Sequence, residues 1–277
     1  MKHKDITHPN LNNGKKTRVY FTVHEKEFDV FFREIYEEQH YVQGLDYLLS
    51  TGGAKWNKKG VLLESGFKKD LAVVDLGANV GLATLYFAPY VKKIYAFEPS
   101  PPVFEALKKN TEHLDNVEVF NEGVAALSQR LLMGSEQAGS LPQKIWYGDE
   151  KPKQQLCADF YDIKTLFEKH NIEHVDLLKI DIEDAEHEVF PSKEFGKVSK
   201  NIDAIVGEGH IIIGSDGKSL QTSPAFIPLM LEEWGYKTEF IDTKQVYFTW
   251  VQTYTDYHTK EKKEYKIPIP AAFFAKK

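Results

Sequence analysis

The run Val73-Val74-Asp75-Leu76-Gly77-Ala78-Asn79-Val80-Gly81, followed by Ile94-Tyr95-Ala96-Phe97-Glu98-Pro99, admits few folds. Leu71 to Leu76 is a short valine-rich apolar run, as a parallel strand covered on both faces requires. It stops at a glycine turn. Gly77 and Gly81 allow a tight backbone and a close approach by a ligand, and Leu82 to Tyr90 then carries apolar residues at helical spacing. The start of that helix can turn free amides toward an anionic group. Glu98 lies 21 residues after Gly77 at the tip of the next predicted strand, where an acceptor-only side chain can take both hydroxyls of a ribose.

The turn also discriminates between nucleoside ligands. A dinucleotide site asks for Gly-x-Gly-x-x-Gly, whereas Asn79 and Leu82 stand here at the second and third glycine positions. Asp-x-Gly-x-Asn-x-Gly instead suits the methionine end of S-adenosylmethionine. Its ammonium seeks a carboxylate or carbonyl, here Asp75, and its carboxylate seeks backbone amides around Gly77, Asn79 and Gly81. A plain connecting turn in any doubly wound fold would not need the carboxylate at Glu98.

Further segments carry a resemblance. Val175-Asp176-Leu177-Leu178-Lys179-Ile180-Asp181-Ile182-Glu183-Asp184-Ala185-Glu186 is similar to the Leu-Lys-Ile-Asp-Val-Glu-Gly-Ala-Glu segment of the FkbM family of S-adenosylmethionine-dependent methyltransferases. Asp75 to Gly81, Phe97-Glu98-Pro99 and Glu208-Gly209-His210 resemble that family's motifs in the same order. The resemblance covers about Leu71 to Lys277. Asp184 departs from it, standing where the family has glycine. The fold implied is an α/β, doubly wound, seven-stranded Rossmann-like class I methyltransferase sheet, with its last strand antiparallel beside the fifth and sixth. Residues 61–277 form that domain, and residues 1–60 are an N-terminal extension that could serve as a lid or a substrate-side cap.

Periodicity supplies the alternation independently. Pro102 to Asn110, Asp162 to His170 with Asp162 as cap, and Pro224 toward Trp234 read as helices. Val117 to Phe120, Val175 to Ile180, Ile202 to Val206, Tyr236 to Ile241 and Ala271 to Ala275 read as strands. Before the domain, Met1 to Lys16 reads as a loose polar leader, Val19 to Val23 as a strand and Glu27 to Glu37 as an amphipathic helix. Tyr41 to Gly44 and Gly52 to Trp56 suggest glycine-hinged lid segments. Ala125 to Gln155 is too rich in glycine and proline for one helix, and Trp146-Tyr147 within it could meet a substrate or pin the loop.

Composition narrows the partners. With 277 residues, 42% of them hydrophobic, the chain can bury one sizeable core. A formal net charge of −6 offers no general basic field for nucleic acid, despite Lys58, Lys59, Lys68 and Lys69. One cysteine, Cys157, excludes an intramolecular disulfide and a thiolate metal cluster, and reads as a small filler beside the strand at Gln155 to Phe160. No apolar run approaches a membrane span and no signal segment is evident, so the chain reads as cytoplasmic. A homo-oligomer is compatible with all of this.

The titratable residues beyond the carboxyl ends of strands are Asp181 and Glu183 after the fourth, and Glu208 and His210 after the fifth. His210 or Asp181 could take the proton of an acceptor hydroxyl while the other carboxylates orient the acceptor. The same four could instead hold a divalent cation, but their spacing is not diagnostic and the metal-free base is preferred. Glu183 and Glu186 could equally be an exposed first helical turn. Glu122 or the Gly123 backbone, after the third strand, is the choice for the adenine amino group. His113, His170, His174 and His187 read as surface or structural. The substrate class implied by the resemblance is a sugar, glycan or secondary-metabolite hydroxyl. The alternatives are N-methylation of a peptide or small molecule, or a non-catalytic S-adenosylmethionine-binding subunit.

Overall fold

The computed structural model describes residues 1–277 apart from 9–10, 12–14, 23–24, 38–39, 53–54, 57–61, 65–69, 135–154, 184, 211, 214–219, 223, 242–247, 256–261 and 270. Trp146, Tyr147 and Asp184 therefore lie outside the described residues, as does the Trp56 side chain. Seven strands form the central sheet: β1 (Ala72–Leu76), β2 (Lys93–Phe97), β3 (Val117–Phe120), β4 (Val175–Ile180), β5 (Ile202–Gly209), β6 (Lys237–Phe240) and β7 (Ala271–Lys276). Their order is β6-β7-β5-β4-β1-β2-β3. Strands β1 to β5 pair in parallel, and β7 runs antiparallel between β5 and β6. This is the sheet that the resemblance implies.

The centre is apolar for a physical reason. Helices cover both faces of β1 and β4, so every residue of β4 is buried and Val73, Val74 and Leu76 of β1 are sealed. Charged residues interrupt this pair, and two of them are register partners: Lys179 of β4 lies opposite Asp75 of β1. After β1 the chain moves to one side of the sheet, through β2 and β3, and β4 and β5 lie on the other. The crevice between the carboxyl ends of β1 and β4 is therefore the switch point where doubly wound sheets bind ligands.

Local signals set the flanking helices. The first of them after β1, Leu82–Phe87, continues as a 3₁₀ turn at Ala88–Tyr90, where Pro89 ends the regular helix. Pro101–Thr111 follows β2, and Ile163–Lys169 begins at Asp162, whose side chain accepts the Thr165 amide at 2.9 Å. Among the described residues no helix is long and apolar enough to cross a membrane.

The front of the chain is more ordered than its composition suggests. Lys2–Ile6 pairs antiparallel with Thr17–Phe21, so part of the expected loose leader is a strand, closed by Asp5 and Arg18 opposite each other. The amphipathic helix runs Glu25–Phe32 and then widens into a π-helical turn at Arg33–Glu37. Val42–Gly52 is helical, so Gly44 is no hinge: a Cβ there would meet Val206 and Leu177 at 3.0 and 3.1 Å, which marks close packing on the sheet. Asn110 clamps this front layer, its amide donating to the carbonyls of Tyr20 and Val80 at 2.8 and 2.7 Å.

The region after β3 contains Gly123–Val124, Gln129–Gly134 and Gln155–Tyr161, joined as a small three-stranded sheet. Cys157 lies in its middle strand but is exposed, and is not a core filler. A hairpin of Phe248–Thr255 and Lys262–Ile269 was not anticipated.

Candidate functional site

The glycine turn after β1 is held in left-handed conformations at Gly77 (φ 76°), Asn79 (φ 52°) and Gly81 (φ 89°). Gly77 must be glycine, because an added Cβ would stand 1.9 Å from the Asp181 carbonyl oxygen. The turn's amides are all engaged within the protein. Gly77 and Ala78 donate to the Phe97 carbonyl, Asn79 to Glu98, Val80 to the Asn79 side chain and Gly81 to the Ala78 carbonyl. The turn thus presents its surface to a ligand, while the amides expected to receive a carboxylate are already bonded.

Glu98 faces this turn from the end of β2. Its Oε2 accepts the Asn79 amide at 3.0 Å and its Oε1 accepts the Ser100 amide at 2.8 Å, which leaves further acceptor capacity on both oxygens. The side chain is buried, and that burial pushes its pKa up to about 7 against the pull of the two amides and Lys179. A protonated carboxyl gives up one acceptor site. Affinity for a ribose diol should therefore be constant above about pH 8 and fall as pH drops through 7, an effect that Glu98→Gln should remove. A calorimetric titration across pH checks this.

Asp75 does not line the cavity described below. It is fully buried, accepts the Thr84 hydroxyl at 2.6 Å and pairs with Lys179 at 3.1 Å. Lys179 also donates to the Gly77 carbonyl at 2.7 Å, so this pair braces the turn from beneath rather than contacting an ammonium. Burial opposes the charge on Lys179, but Asp75 and Asp181 outweigh it and raise its pKa.

A cavity of about 330 Å³ opens above the turn. Gly77, Ala78, Asn79, Val80, Glu98 and Ser100 line one part, and Gly123, Val124 and Phe160 a second. Asp181, Glu183, Glu208 and His210 line a third. Asp75, Gly81 and Glu122 are not in the lining. Glu122 is instead held by Lys169 and His170, each at 2.8 Å, which leaves Gly123 as the residue of that pair facing the cavity.

The four strand-end residues do come together. His210 Nε2 lies 3.6 Å from Asp181 and 3.9 Å from Glu183, and Glu183 adopts a left-handed backbone at φ 55° to bring it there. Behind the ring, Glu186 lies 3.5 Å from Nδ1 and accepts the Ile182 amide at 2.6 Å. Glu186 is completely buried, not part of an exposed helical turn. Burial disfavours the imidazolium, but Glu186, Asp181 and Glu208 outweigh it and hold His210 well above the usual histidine range. Burial, reinforced by the neighbouring carboxylates against His210, pushes Glu183 up to about 7. Asp181, Glu186 and His210 bring possible ligand atoms within 4.8 Å of one another.

Other contributors were not assigned to the site from the sequence. His40 and Tyr41 come from the N-terminal layer, Lys179 from inside an apolar strand and Glu186 from the turn after it. The lone lysine in a six-residue apolar run was the visible signal. Phe31, Glu34 and Ile35 of the front helix also line the cavity.

A family model described as the methyltransferase FkbM domain matches residues 75–238, more than half of the chain. The chain belongs to the FkbM methyltransferase family. The FkbM match begins at Asp75 and leaves the N-terminal layer outside it. "Methyltransferase 1" of Beauveria bassiana is 32% identical over 152 residues, 44% of this chain and 58% of that protein's length. Among solved structures, a SAM-dependent methyltransferase from Agrobacterium tumefaciens aligns with TM-score 0.45 and 7% identity, covering 99% of this chain and 70% of that one. Aeropyrum pernix fibrillarin with natively bound S-adenosyl-L-methionine aligns with TM-score 0.37 and 14% identity, covering 75% and 67%.

Proposed function

We propose that this FkbM-family chain transfers a methyl group from S-adenosylmethionine to a hydroxyl of a small-molecule or glycan acceptor. The observation that carries the reading is one cavity with a buried, amide-held Glu98 at one end and the Asp181–His210 pair at the other. The donor fits this chain: Glu98 suits the ribose, and Gly77, Ala78, Asn79 and Val80 of the turn line the cavity beside it. Gly123, Val124 and Phe160 would flank the base. When bound, S-adenosylmethionine supplies a methyl group already activated on a cationic sulfur.

The protein then has to align the acceptor, exclude water and remove a proton. His210 or Asp181 was expected to be the base, and the carboxylates around His210 hold its pKa well above the usual histidine range, which favours the imidazolium. That charge suits His210 to orient the acceptor oxygen and Asp181 to receive the proton. Asp181→Ala and His210→Ala should each lower turnover by about 10²-fold or more with donor affinity within a few-fold, as steady-state rates and dialysis will report. EDTA should leave the wild-type rate unchanged; loss of activity restored by manganese would favour a cation at these carboxylates.

A second reading, N-methylation, is favoured by one observation: Asp181, Glu183 and Glu208 line the acceptor end together and suit an amine that binds as ammonium and gives one of them its proton before the nitrogen lone pair takes the methyl group. Offering pooled metabolites with deuterated-methyl S-adenosylmethionine, and fragmenting the labelled product, decides between oxygen and nitrogen. No labelled product from any pool would count against catalysis and for a binding subunit.

A further inference from the structure

Tyr41 reaches into the site from outside the FkbM match. Its side chain is buried, and its hydroxyl donates to Asp181 Oδ2 at 2.9 Å across 140 residues of sequence. The ring is fixed from two sides. Tyr41 opens the helix Val42–Gly52, which Gly44 presses onto Leu177 and Val206, and its ring packs against Phe87 with centroids 6.4 Å apart. Burial, with Asp181 and Glu208 adding to it, keeps the phenol protonated, so it is a permanent donor.

Asp181 Oδ2 has a competing partner. Lys179 Nζ lies 3.9 Å from the same oxygen and below the Tyr41 ring, 5.8 Å from its centre. The other oxygen, Oδ1, faces His210 at 3.6 Å. Without the phenol the neighbour left on the Oδ2 side is the lysine, and a turn toward it would withdraw Oδ1 from His210 and from the acceptor.

We propose that Tyr41 is a positioning residue that holds the Asp181 carboxylate off Lys179 and aimed into the cavity, so that the N-terminal layer completes the reacting site. The role of Asp181 rests on the function proposed above; the placement of Tyr41 does not. Tyr41→Phe keeps the ring and deletes only the donor.

Crystal structures of the full chain, wild type and Tyr41→Phe, should show Asp181 swinging into direct contact with Lys179 and away from His210. With the acceptor found by the labelled-methyl screen, Tyr41→Phe should lower turnover about 10-fold at nearly unchanged KM for S-adenosylmethionine. In an Asp181→Asn background the same change should cost nothing further, because Tyr41 acts through that carboxylate. An unmoved Asp181, or an equal loss in both backgrounds, overturns the proposal. Absence of methyl transfer in the wild type would count against the function alone, with the Asp181 position still deciding the part played by Tyr41.

Discussion

Gly77→Val is expected to yield a protein that no longer binds S-adenosylmethionine and unfolds at a markedly lower temperature. At φ 76° a β-branched residue is strained, and its Cβ would sit 1.9 Å from the Asp181 carbonyl oxygen and 3.2 Å from the Ile182 side chain. Relief requires the end of β4 to move away from β1. Strain and overpacking together cost about 2 to 6 kcal/mol, enough to consume much of a domain's net stability. Because Asp181 is displaced in the same movement, both ends of the cavity are lost at once. Calorimetric unfolding and equilibrium dialysis measure the two losses, and near-native affinity in a folded Gly77→Val would mean that the turn does not border the ligand.

Glu98→Ala should fold and weaken donor binding by about 2 to 4 kcal/mol, roughly 30- to 1000-fold. Two charge-assisted hydrogen bonds to the ribose are lost. The Asn79 and Ser100 amides, now bonded to the carboxylate at 3.0 and 2.8 Å, must also turn to water, which loosens the turn at its left-handed residue. Glu98→Gln separates these effects, since it keeps an acceptor for one amide while losing the charge. Dialysis showing equal affinity for wild type and Glu98→Ala would remove Glu98 from the site.

The sequence carried the sheet because its central strands are covered on both faces: Val73 to Leu76 and Val175 to Ile180 had to be largely apolar, and the turn after the first had to be glycine at Gly77. Glu98, Asp181 and His210 were legible for the same reason, as charged residues following such runs. What depended on pairing across the fold was not. Lys2–Ile6 has no apolar alternation and is a strand only because Thr17–Phe21 buries Val19 and Phe21 beside it. Asp75 looked like a ligand group until the register placed Lys179 opposite it. Glu186 looked like solvent-facing charge in an acidic turn, but that turn folds back so that its carboxylate lies under His210. Tyr41 belonged to a segment read as a hinge, and its meeting with Asp181 depends on where the helix after it packs.

Titration of S-adenosylmethionine into the purified full chain by calorimetry tests the central claim most directly, that the crevice at the ends of β1, β2 and β4 is the donor site. The account predicts one site per chain, displaceable by S-adenosylhomocysteine, weaker at about pH 6 than at about pH 8 and strongly weakened in Glu98→Ala. No binding, or binding indifferent to Glu98→Ala, would contradict it.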